Sequence, residues 1–451
     1  MIRASIATFR TRSKSRLSTT SCIISTRSMA CTPMTVIAGQ KSKFHLNCWN
    51  AISKGCRPAS MIDATDDEDF KELYGAWEPT LYASAMADDR YFALLVGGPR
   101  WDDPYTIILT RDAKAQTFSR LDVRRDLRDV RVVPRADDVG EPSYVTLSLN
   151  GDIYVISPKG AEHSVIPGTQ AESDDAPEIL FTSILPVEGQ WLVAGGEGFL
   201  KLGKDKSWQD VSPSLPTEYP YKVPDWTILG TNQNGDIFIV GTQAANARHF
   251  NLYPGHPLYQ KDMPDEERFE LKKKLYAEMD SYPRLKTLFT GRPGAWKQQA
   301  LPDRIARSLP AYSYVADVES RGNGANYVIG SDGLVMKGNP QAGFTDISSI
   351  ADREKNFKDG VCWRNELILA TGTELFRFDG HFAKPFAPKV KMRSAPFVLQ
   401  PSAIFVQNDK LYVFDSGLRY YTFDDQGWNQ YDIPKELSQR PFKGGGDKGS
   451  P

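Results

Sequence analysis

The sequence predicts an all-β protein, a seven-bladed β-propeller with one helical insertion in blade four. Two observations predict this fold. A short apolar run of strand type recurs seven times, and five of the six intervals between the starts of successive runs are 40 to 53 residues long. The sixth interval, 90 residues, fits one repeat plus an insertion. Each run is also accompanied by three further strand-like segments, and four short strands per period of about 40 to 50 residues are typical of propeller blades.

The four strands of the predicted blade follow one another in a fixed order. The first strand is expected at 81–86, 130–134, 179–185, 226–231, 312–318, 360–363 and 402–406. The recurring apolar run is the second, at 91–98, 144–149, 191–196, 237–241, 327–330, 367–372 and 411–417. The third is expected at 105–112, 152–157, 198–204, 333–339, 374–380 and 418–425, with a displaced copy after the insertion in blade four. The outer strand is expected at 118–123, 163–167, 208–213, 296–302, 344–349, 383–388 and 428–434.

Turn and edge residues agree with this assignment. Five of the seven outer segments end at proline, which cannot donate to a ladder and therefore suits the edge of a sheet. Asn150-Gly151, Asn234-Gly235, Asp332-Gly333 and Asp379-Gly380 supply the positive-φ positions that tight hairpins require. A β-sandwich or two barrels is the alternative fold. Neither explains a single period that runs from residue 81 to residue 434.

The first 60 residues differ from the rest of the chain. They hold ten of the 55 Lys and Arg residues and none of the 56 Asp and Glu residues, so the chain from Met61 onward carries a net charge of −11. An Arg- and Ser-rich, acid-free start is typical of a transit peptide, whereas the abrupt change at Met61 favours translation from Met34 or Met61. Residues 1–60 are predicted to be disordered, residues 61–77 form an acidic lead-in to a propeller at 78–434, and residues 435–451 form a disordered tail.

Charge and composition exclude several classes of function. An acidic body repels polyanions, so we expect no nucleic-acid partner. No apolar run reaches the about 20 residues that span a bilayer, so we expect no membrane insertion. Four of the five cysteines lie in the first 60 residues, which excludes a disulfide scaffold for the propeller. We expect a monomer in the cytoplasm, or in an organelle if residues 1–30 are a presequence.

No catalytic motif is recognisable in the sequence. It contains no G-x-S-x-G elbow, H-E-x-x-H helix or phosphate-binding glycine loop, so we predict no catalytic residue, no cofactor and no metal. The segment 122–135 is rich in arginine and could suggest a phosphate site. Aspartates alternate with these arginines, however, which favours a self-neutralised connection between blades one and two.

Individual positions resemble known propeller repeats. Gly97-Gly98 and Gly195-Gly196 resemble the Kelch doublet, and Asp112 with Phe118, Asp205 with Trp208 and Asp424 with Trp428 are similar to the Asp box of sialidases. The Gly-His and Trp-Asp pairs of tryptophan–aspartate repeats do not recur. Over residues 78–434 the chain therefore resembles the β-propeller repeat superfamily. This resemblance implies the fold. It does not imply that the protein hydrolyses a substrate, because the Asp box of sialidases is structural and lies away from the active site.

The insertion, residues 245–290, departs from the repeat. Residues 262–282 predict an amphipathic helix with Asp262 as a cap, Pro264 in the first turn, and Leu271, Leu275 and Met279 on one face. Its apolar face must pack on its own propeller or on a partner. Rigid aromatic residues are common interface anchors. We therefore predict the partner-binding residues in this segment, namely His249, Phe250, Tyr253, His256, Tyr259, Phe269 and Tyr276.

These observations favour a non-catalytic protein-binding propeller, either a scaffold or an immunity-type inhibitor of an enzyme. An acidic body would suit a basic protein partner. One alternative is a propeller enzyme or carbohydrate-binding protein with a site at the central channel, and another is an organellar assembly factor. The fold does not decide among them, because propellers host both binding and catalysis.

Overall fold

The computed structural model describes residues 79–97, 104–135, 140–167, 179–246, 263–308, 314–320, 325–387 and 399–439, and the backbone of residues 9–10. The described residues form seven antiparallel sheets, which we number as blades one to seven in chain order. The predicted all-β, seven-bladed propeller is confirmed. No helix in the described ranges is long and apolar enough to cross a membrane.

The strands are short and evenly distributed. Blade one contains β2 (Thr80–Met86), β3 (Tyr91–Gly97), β4 (Thr106–Asp112) and β5 (Thr117–Val123), with β1 (Phe9–Arg10) paired to β5 at its outer edge. Blade two contains β6 (Leu127–Val133), β7 (Ser143–Ser148), β8 (Asp152–Ser157) and β9 (Gly160–Val165). Blade three contains β10 (Phe181–Val187), β11 (Gln190–Gly195), β12 (Leu200–Lys204) and β13 (Ser207–Asp210). Blade four contains β14 (Asp225–Thr231), β15 (Ile237–Gln243), β16 (Arg284–Arg292) and β17 (Ala295–Gln299), and β18 (Arg307–Ser308) pairs with β16.

The remaining three blades repeat this arrangement. Blade five contains β19 (Val315–Ser320), β20 (Asn326–Gly330), β21 (Val335–Asn339) and β22 (Gly343–Asp346). Blade six contains β23 (Asp359–Trp363), β24 (Glu366–Ala370), β25 (Leu375–Phe378) and β26 (Ala383–Pro385). Blade seven contains β27 (Pro401–Gln407), β28 (Lys410–Asp415), β29 (Arg419–Asp424) and β30 (Gly427–Asp432). The short helices are α1 (Asp265–Ser281), α2 (Asp303–Ala306), α3 (Lys435–Ser438) and a 3₁₀ turn at Ile350–Asp352.

Each blade is a meander whose four strands pair in chain order. The ring closes by side-chain packing between blades seven and one. The Phe92 ring lies 5.2 Å from the Phe414 ring and 5.3 Å from the Tyr420 ring, both edge-on. In addition, the backbone N–H of Leu81 donates to the carbonyl of Ser416 at 3.1 Å. In the described ranges, this packing and this hydrogen bond join blade seven to blade one.

The core lies between neighbouring blades. Leu95 and Ile108 of blade one, for example, pack against Val130 and Tyr144 of blade two. The second strand is buried along its whole length in blade one. Its apolar run is therefore almost continuous, because both of its faces meet a neighbouring sheet.

Meander topology sorts the loops onto two faces of the disc. The turns between second and third strands and the connections between blades emerge on one side, which we name the connection face. The hairpins between first and second strands and between third and fourth strands emerge on the other, the hairpin face. The insertion lies on the connection face, because it joins the second and third strands of blade four, β15 and β16, which pair directly.

Two predicted boundaries differ from the structure. The predicted insertion, 245–290, overlaps strand β16, which begins at Arg284. The predicted disordered tail begins at residue 435, but α3 packs on the propeller with Leu437 buried. Arg120 of blade one donates to the carbonyls of Glu436 and Leu437 at 3.2 and 3.1 Å. These two contacts hold the helix in place.

Candidate functional site

The helix of the insertion has the predicted apolar face. Leu271, Leu275 and Met279 lie in one partly buried cluster with Ala245 and Tyr282. This face therefore packs on residues at the base of the insertion, and whether it also packs on the propeller or on a partner stays a prediction. The helix begins at Asp265 and Pro264 is its N-cap residue, so Asp262 is not the cap and Pro264 precedes the first turn.

Two of the seven predicted binding residues lie in the described part of the chain. Phe269 is 38% exposed on α1, while Tyr276 belongs to the partly buried cluster. His249, Phe250, Tyr253, His256 and Tyr259 lie outside the described residues. The role of all seven in binding stays a prediction.

The base of the insertion is tied to the connection between blades three and four. The N–H of Lys222 donates to the carbonyl of Ala244 at 3.0 Å, and the N–H of Asn246 donates to the carbonyl of Pro220 at 2.7 Å. Between these bonds, Tyr221 and Ala245 form an antiparallel bridge. The connection and the base of the insertion are therefore in direct contact.

Exposed apolar side chains concentrate on the connection face. Among the described residues, seven large hydrophobic side chains are exposed, and five of them lie on this face with exposed fractions from 38% to 79%. The five are Leu180, Tyr219, Val223, Phe269 and Ile350. Phe382 lies on the hairpin face, and Tyr431 lies on an outer strand. Exposed apolar residues grouped in this way mark interaction sites more often than isolated ones do.

Leu180, Tyr219 and Val223 define a surface that we name the blade-three strip. Gly196 and Gly198, in the turn between the second and third strands of blade three, connect its two sides. The N–H of Gly196 donates to the carbonyl of Leu180, and the N–H of Gly198 to the carbonyl of Pro224, both at 2.9 Å. Gly198 has φ of +79°, and a Cβ there would lie 3.8 Å from Val223. Because the two glycines add no side chain, the turn leaves the surface between Leu180 and Val223 uncovered.

The first strands of the seven blades surround a central channel with a volume of about 650 Å³. Its polar lining includes three aspartates, Asp129, Asp317 and Asp359, together with Glu319 and Arg131. Carboxylates that converge in a channel are the observation that would favour an enzyme or a carbohydrate site. Their hydrogen bonds decide what they do.

The channel carboxylates connect each blade to the next. A first strand has one edge without a strand partner, and its N–H groups on that edge need acceptors. A side chain at one equivalent position of the preceding blade supplies the acceptor in four places. Asp129 accepts from Ile184 (3.0 Å), Ser183 from Ile228 (2.8 Å) and Asp359 from Ile404 (2.7 Å). Asp317 accepts a longer bond from Gly360 (3.4 Å), whose N–H also donates to Asp359 at 2.7 Å. We name these four contacts the blade ties.

Further contacts reinforce the blade ties. Glu319 accepts from the N–H of Cys362 at 3.1 Å, one step along the same strand edge. Thr182 acts in the opposite sense, because its hydroxyl donates to the carbonyl of Trp226 at 2.9 Å. The equivalent positions in blades one and seven are Ala83 and Ala403, which carry no acceptor. The carboxylates thus connect neighbouring blades within the ring.

Asp359 is the most perturbed of these groups. Burial and the neighbouring Asp317 carboxylate, with which it shares a hydrogen bond, raise the pKa of Asp359 well above its ordinary value. Arg131 faces the same charges, and its pKa is raised, first by Asp129 and further by Asp317 and Asp359. A protonated Asp359 limits the repulsion between two carboxyl groups at adjacent ties.

A buried lysine–serine pair lies beside the insertion. Lys286 donates to the hydroxyl of Ser308 at 2.7 Å, and burial lowers the pKa of Lys286 to about 8. Such a pair could activate a serine nucleophile. Both residues are less than 10% exposed, and the central channel does not reach them. We therefore assign the pair to the packing of β18 against β16.

The arginine-rich connection is self-neutralised, as predicted. Arg125 pairs with Asp152 at 2.9 Å, Arg128 with Asp126 at 2.6 Å, and Arg131 with Asp129 at 3.1 Å. Within the described ranges, no group of three or more His, Cys, Asp or Glu side chains is arranged to hold a metal ion. The segment therefore offers no free cluster of arginines to a phosphate.

Sequence reasoning missed both the blade-three strip and the blade ties. The strip had a weak signal, since Pro216, Pro220 and Pro224 mark an irregular connection around Tyr219 and Val223. The blade ties had a clearer signal, a polar residue at the same place in successive first strands, as at Asp129, Ser183 and Asp317.

Comparison with known proteins found distant structural similarities and no family. No family model matches the sequence, and the search of curated proteins found no relative. Similar solved structures include YCF48 from Cyanidioschyzon merolae, with a TM-score of 0.43 and 10% identity over 80% of this chain and 97% of that chain. Saccharomyces cerevisiae Sqt1 has a TM-score of 0.42 and 10% identity over 79% of this chain and 85% of that chain. A putative gluconolactonase has a TM-score of 0.34 and 10% identity over 62% of this chain and 83% of that chain.

Proposed function

We propose that this propeller is a non-catalytic protein-binding module that holds its partner on the connection face, at the blade-three strip and the adjoining insertion. The concentration of exposed large apolar side chains on that face carries this proposal. Burial of such side chains is the main favourable contribution to protein association, at roughly 25 cal/mol per Å². The opposite face offers one comparable side chain in the described residues, Phe382.

The rival proposal, an enzyme or carbohydrate site in the channel, has less support. Asp129, Asp317 and Asp359 accept hydrogen bonds from the backbone of neighbouring blades, and Arg131 pairs with Asp129. A general base needs a free lone pair directed at a substrate. Each of these carboxylates accepts at least one hydrogen bond from a strand edge at the channel, which gives it a structural role without catalysis.

Site-specific photo-crosslinking tests the proposed face. A photoreactive amino acid would replace Tyr219 on the connection face or, as the matched control, Phe382 on the hairpin face, in the full chain and in extract of the source cell. We expect one dominant protein adduct from position 219 and none from position 382. An adduct from 382 alone, equal adducts from both positions, or no protein adduct at all would each contradict the proposal.

The scaffold and immunity-type roles, the cytoplasmic location and the monomeric state remain predictions from the sequence. The partner identified by the adduct would distinguish these roles. A toxic enzyme would favour immunity, and a component of a larger assembly would favour a scaffold or an organellar assembly factor.

A further inference from the structure

The blade-three strip has an acidic border. Glu197 lies in the glycine turn between Leu180 and Val223, Glu218 precedes Tyr219, and Asp225 follows the strip at the start of β14. The side chains of Glu197 and Asp225 are 43% and 35% exposed, and Glu218 is an exposed residue. Three carboxylates therefore lie in the same chain segments as the three exposed apolar side chains or in the turn between them.

The positive charge at this border is engaged within the protein. The ammonium of Lys222 lies 2.9 Å from Asp225 and 3.6 Å from Glu197. It is shared between two carboxylates and neutralises the equivalent of one. The net charge of the border, counting Glu197, Glu218, Asp225 and Lys222, is −2. Glu266 and Glu267, both exposed in the first turn of α1, extend the negative charge toward Phe269.

The shape of the strip favours one type of occupant. Its centre is the turn Gly196–Glu197–Gly198, which bears a single side chain, that of Glu197, 43% exposed and 3.6 Å from Lys222. Leu180 and Val223 stand on the two sides of this turn, and the proline-rich connection with Tyr219 borders it. An apolar side chain of a partner could rest between Leu180 and Val223 while its neighbours reach the carboxylates.

We propose that the blade-three strip binds a segment of the partner protein in which an aromatic or aliphatic anchor is flanked by lysine or arginine. This inference rests on the proposed function and specifies its chemistry. The anchor would cover Leu180 and Val223, and the flanking cations would face Glu197, Glu218 and Asp225. Complementary charge at such a border contributes to orientation and association rate more than to affinity.

Selection from a displayed library of random twelve-residue peptides tests this chemistry. The full chain would be immobilised, and peptides that also bind the Leu180→Ser/Val223→Ser variant would be removed. We expect the remaining sequences to be enriched in an aromatic or aliphatic residue with Lys or Arg nearby. Their binding should weaken between 50 and 300 mM salt, because exposed ion pairs are screened.

Charge variants sharpen the test with the selected peptide as the probe. Glu197→Gln/Glu218→Gln should weaken binding at low salt by about three- to tenfold, which corresponds to two exposed ion pairs. Lys222→Gln should strengthen binding, because it releases Asp225 and Glu197 from their internal partner. Glu162→Gln, an exposed carboxylate on the outer strand of blade two, is the control and should change nothing. Thermal unfolding of each variant would confirm that the fold is retained.

Three results would overturn the inference. The first is that the selected peptides lack basic residues. The second is that they bind the Glu197→Gln/Glu218→Gln variant as well as the native chain. The third is that the library yields no peptide whose binding depends on the strip. In each case an adduct at position 219 would leave the proposed protein-binding function intact. If position 219 gave no protein adduct and the library also yielded no peptide dependent on the strip, both proposals would be wrong.

Discussion

The central channel and the blade-three strip both combine carboxylates with apolar side chains, yet they use them differently. In the channel, Asp129, Ser183, Asp317 and Asp359 each accept a hydrogen bond from the next blade. On the strip, Glu197 and Asp225 share Lys222 at the surface, and Glu218 is exposed. The channel residues therefore hold the ring together, whereas the strip residues are accessible to a partner.

The difference teaches how a propeller separates stability from recognition. An inner strand edge has N–H groups that must be satisfied, so polar side chains there are required by the fold itself. A connection between blades has no such requirement once its own turn is formed. A carboxylate in the channel is thus weak support for catalysis, while an apolar side chain on the connection face is better support for binding.

The largest effect that would test this comparison is expected from Asp129→Ala. This carboxylate accepts from Ile184, from Val130 and from Arg131, at 3.0, 2.9 and 3.1 Å. Its loss leaves two N–H groups unsatisfied and a guanidinium without its nearest counter-ion. We expect the free energy of unfolding in urea to fall by about 3 kcal/mol.

Asp129→Asn is the matched control, because an amide oxygen can still accept from the backbone. It should cost less than the alanine variant. If Asp129→Ala unfolded at the same urea concentration as the native chain, the blade ties would not be structural, and the channel would again be open to an active-site interpretation.

A smaller, pH-dependent effect is expected from Asp317→Asn. Because the pKa of Asp359 is raised in the folded chain above its unfolded value, about 3.9, the folded state holds that proton more tightly. This stabilisation is complete below about pH 4 and is lost as the pH rises through the folded pKa. Removing the Asp317 charge lowers the pKa of Asp359 toward its ordinary value, although Glu319 and Arg131 still face the site.

The variant should therefore gain stability relative to the native chain as the pH increases, by about 1 kcal/mol between pH 4 and pH 8. Urea unfolding at pH 4, 6 and 8 measures this difference. Glu218 is an exposed carboxylate of the strip. The free energy of unfolding of Glu218→Gln should therefore stay within about 0.5 kcal/mol of that of the native chain at every pH. If the free energy of unfolding of Asp317→Asn relative to the native chain did not change with pH, the carboxyl groups of Asp317 and Asp359 would not be coupled.

The sequence predicted the fold well because the same pattern of four strands recurs in every blade. Each predicted strand overlaps a strand of the structure, and the displaced third strand of blade four is β16 (Arg284–Arg292). The insertion and tail boundaries were less accurate. Strand β16 begins before the expected end of the insertion, and Leu437 of α3 is buried against the propeller. Boundaries depend on tertiary contacts that no local pattern contains.

The candidate sites were harder to predict than the fold. That Asp317 and Asp359 are tied to the neighbouring blade depends on which face of each first strand they occupy, and on β-bulges such as the one between Val315 and Asp317. The exposure of Leu180 and Val223 depends on the glycine turn between them. The aromatic residues of the insertion were predicted to bind a partner because they are numerous. One of them, Tyr276, is partly buried.

A gain of stability is expected where the ring of ties is incomplete. Ala403 occupies the tie position of blade seven, beside the first strand of blade one, and it lines the channel. Ala403→Ser would supply an acceptor for the N–H of Ser84 and should raise the free energy of unfolding by about 0.5–1 kcal/mol. Ala83→Ser is the control and should be neutral, because Asp129 already accepts from the N–H of Val130 at 2.9 Å. Equal effects from both variants would contradict the tie geometry.

The smallest effect on stability is expected on the strip itself. Tyr219 is 70% exposed, so Tyr219→Ser should change the free energy of unfolding by less than about 0.5 kcal/mol, as should Phe382→Ser on the hairpin face. The two variants should differ in partner binding, which only Tyr219→Ser should weaken. A loss of more than about 1 kcal/mol for Tyr219→Ser would mean that this side chain supports the connection, as the channel carboxylates support the ring. In that case the strip would have to be redrawn around Leu180 and Val223, because a side chain needed by the fold is not free to serve a partner.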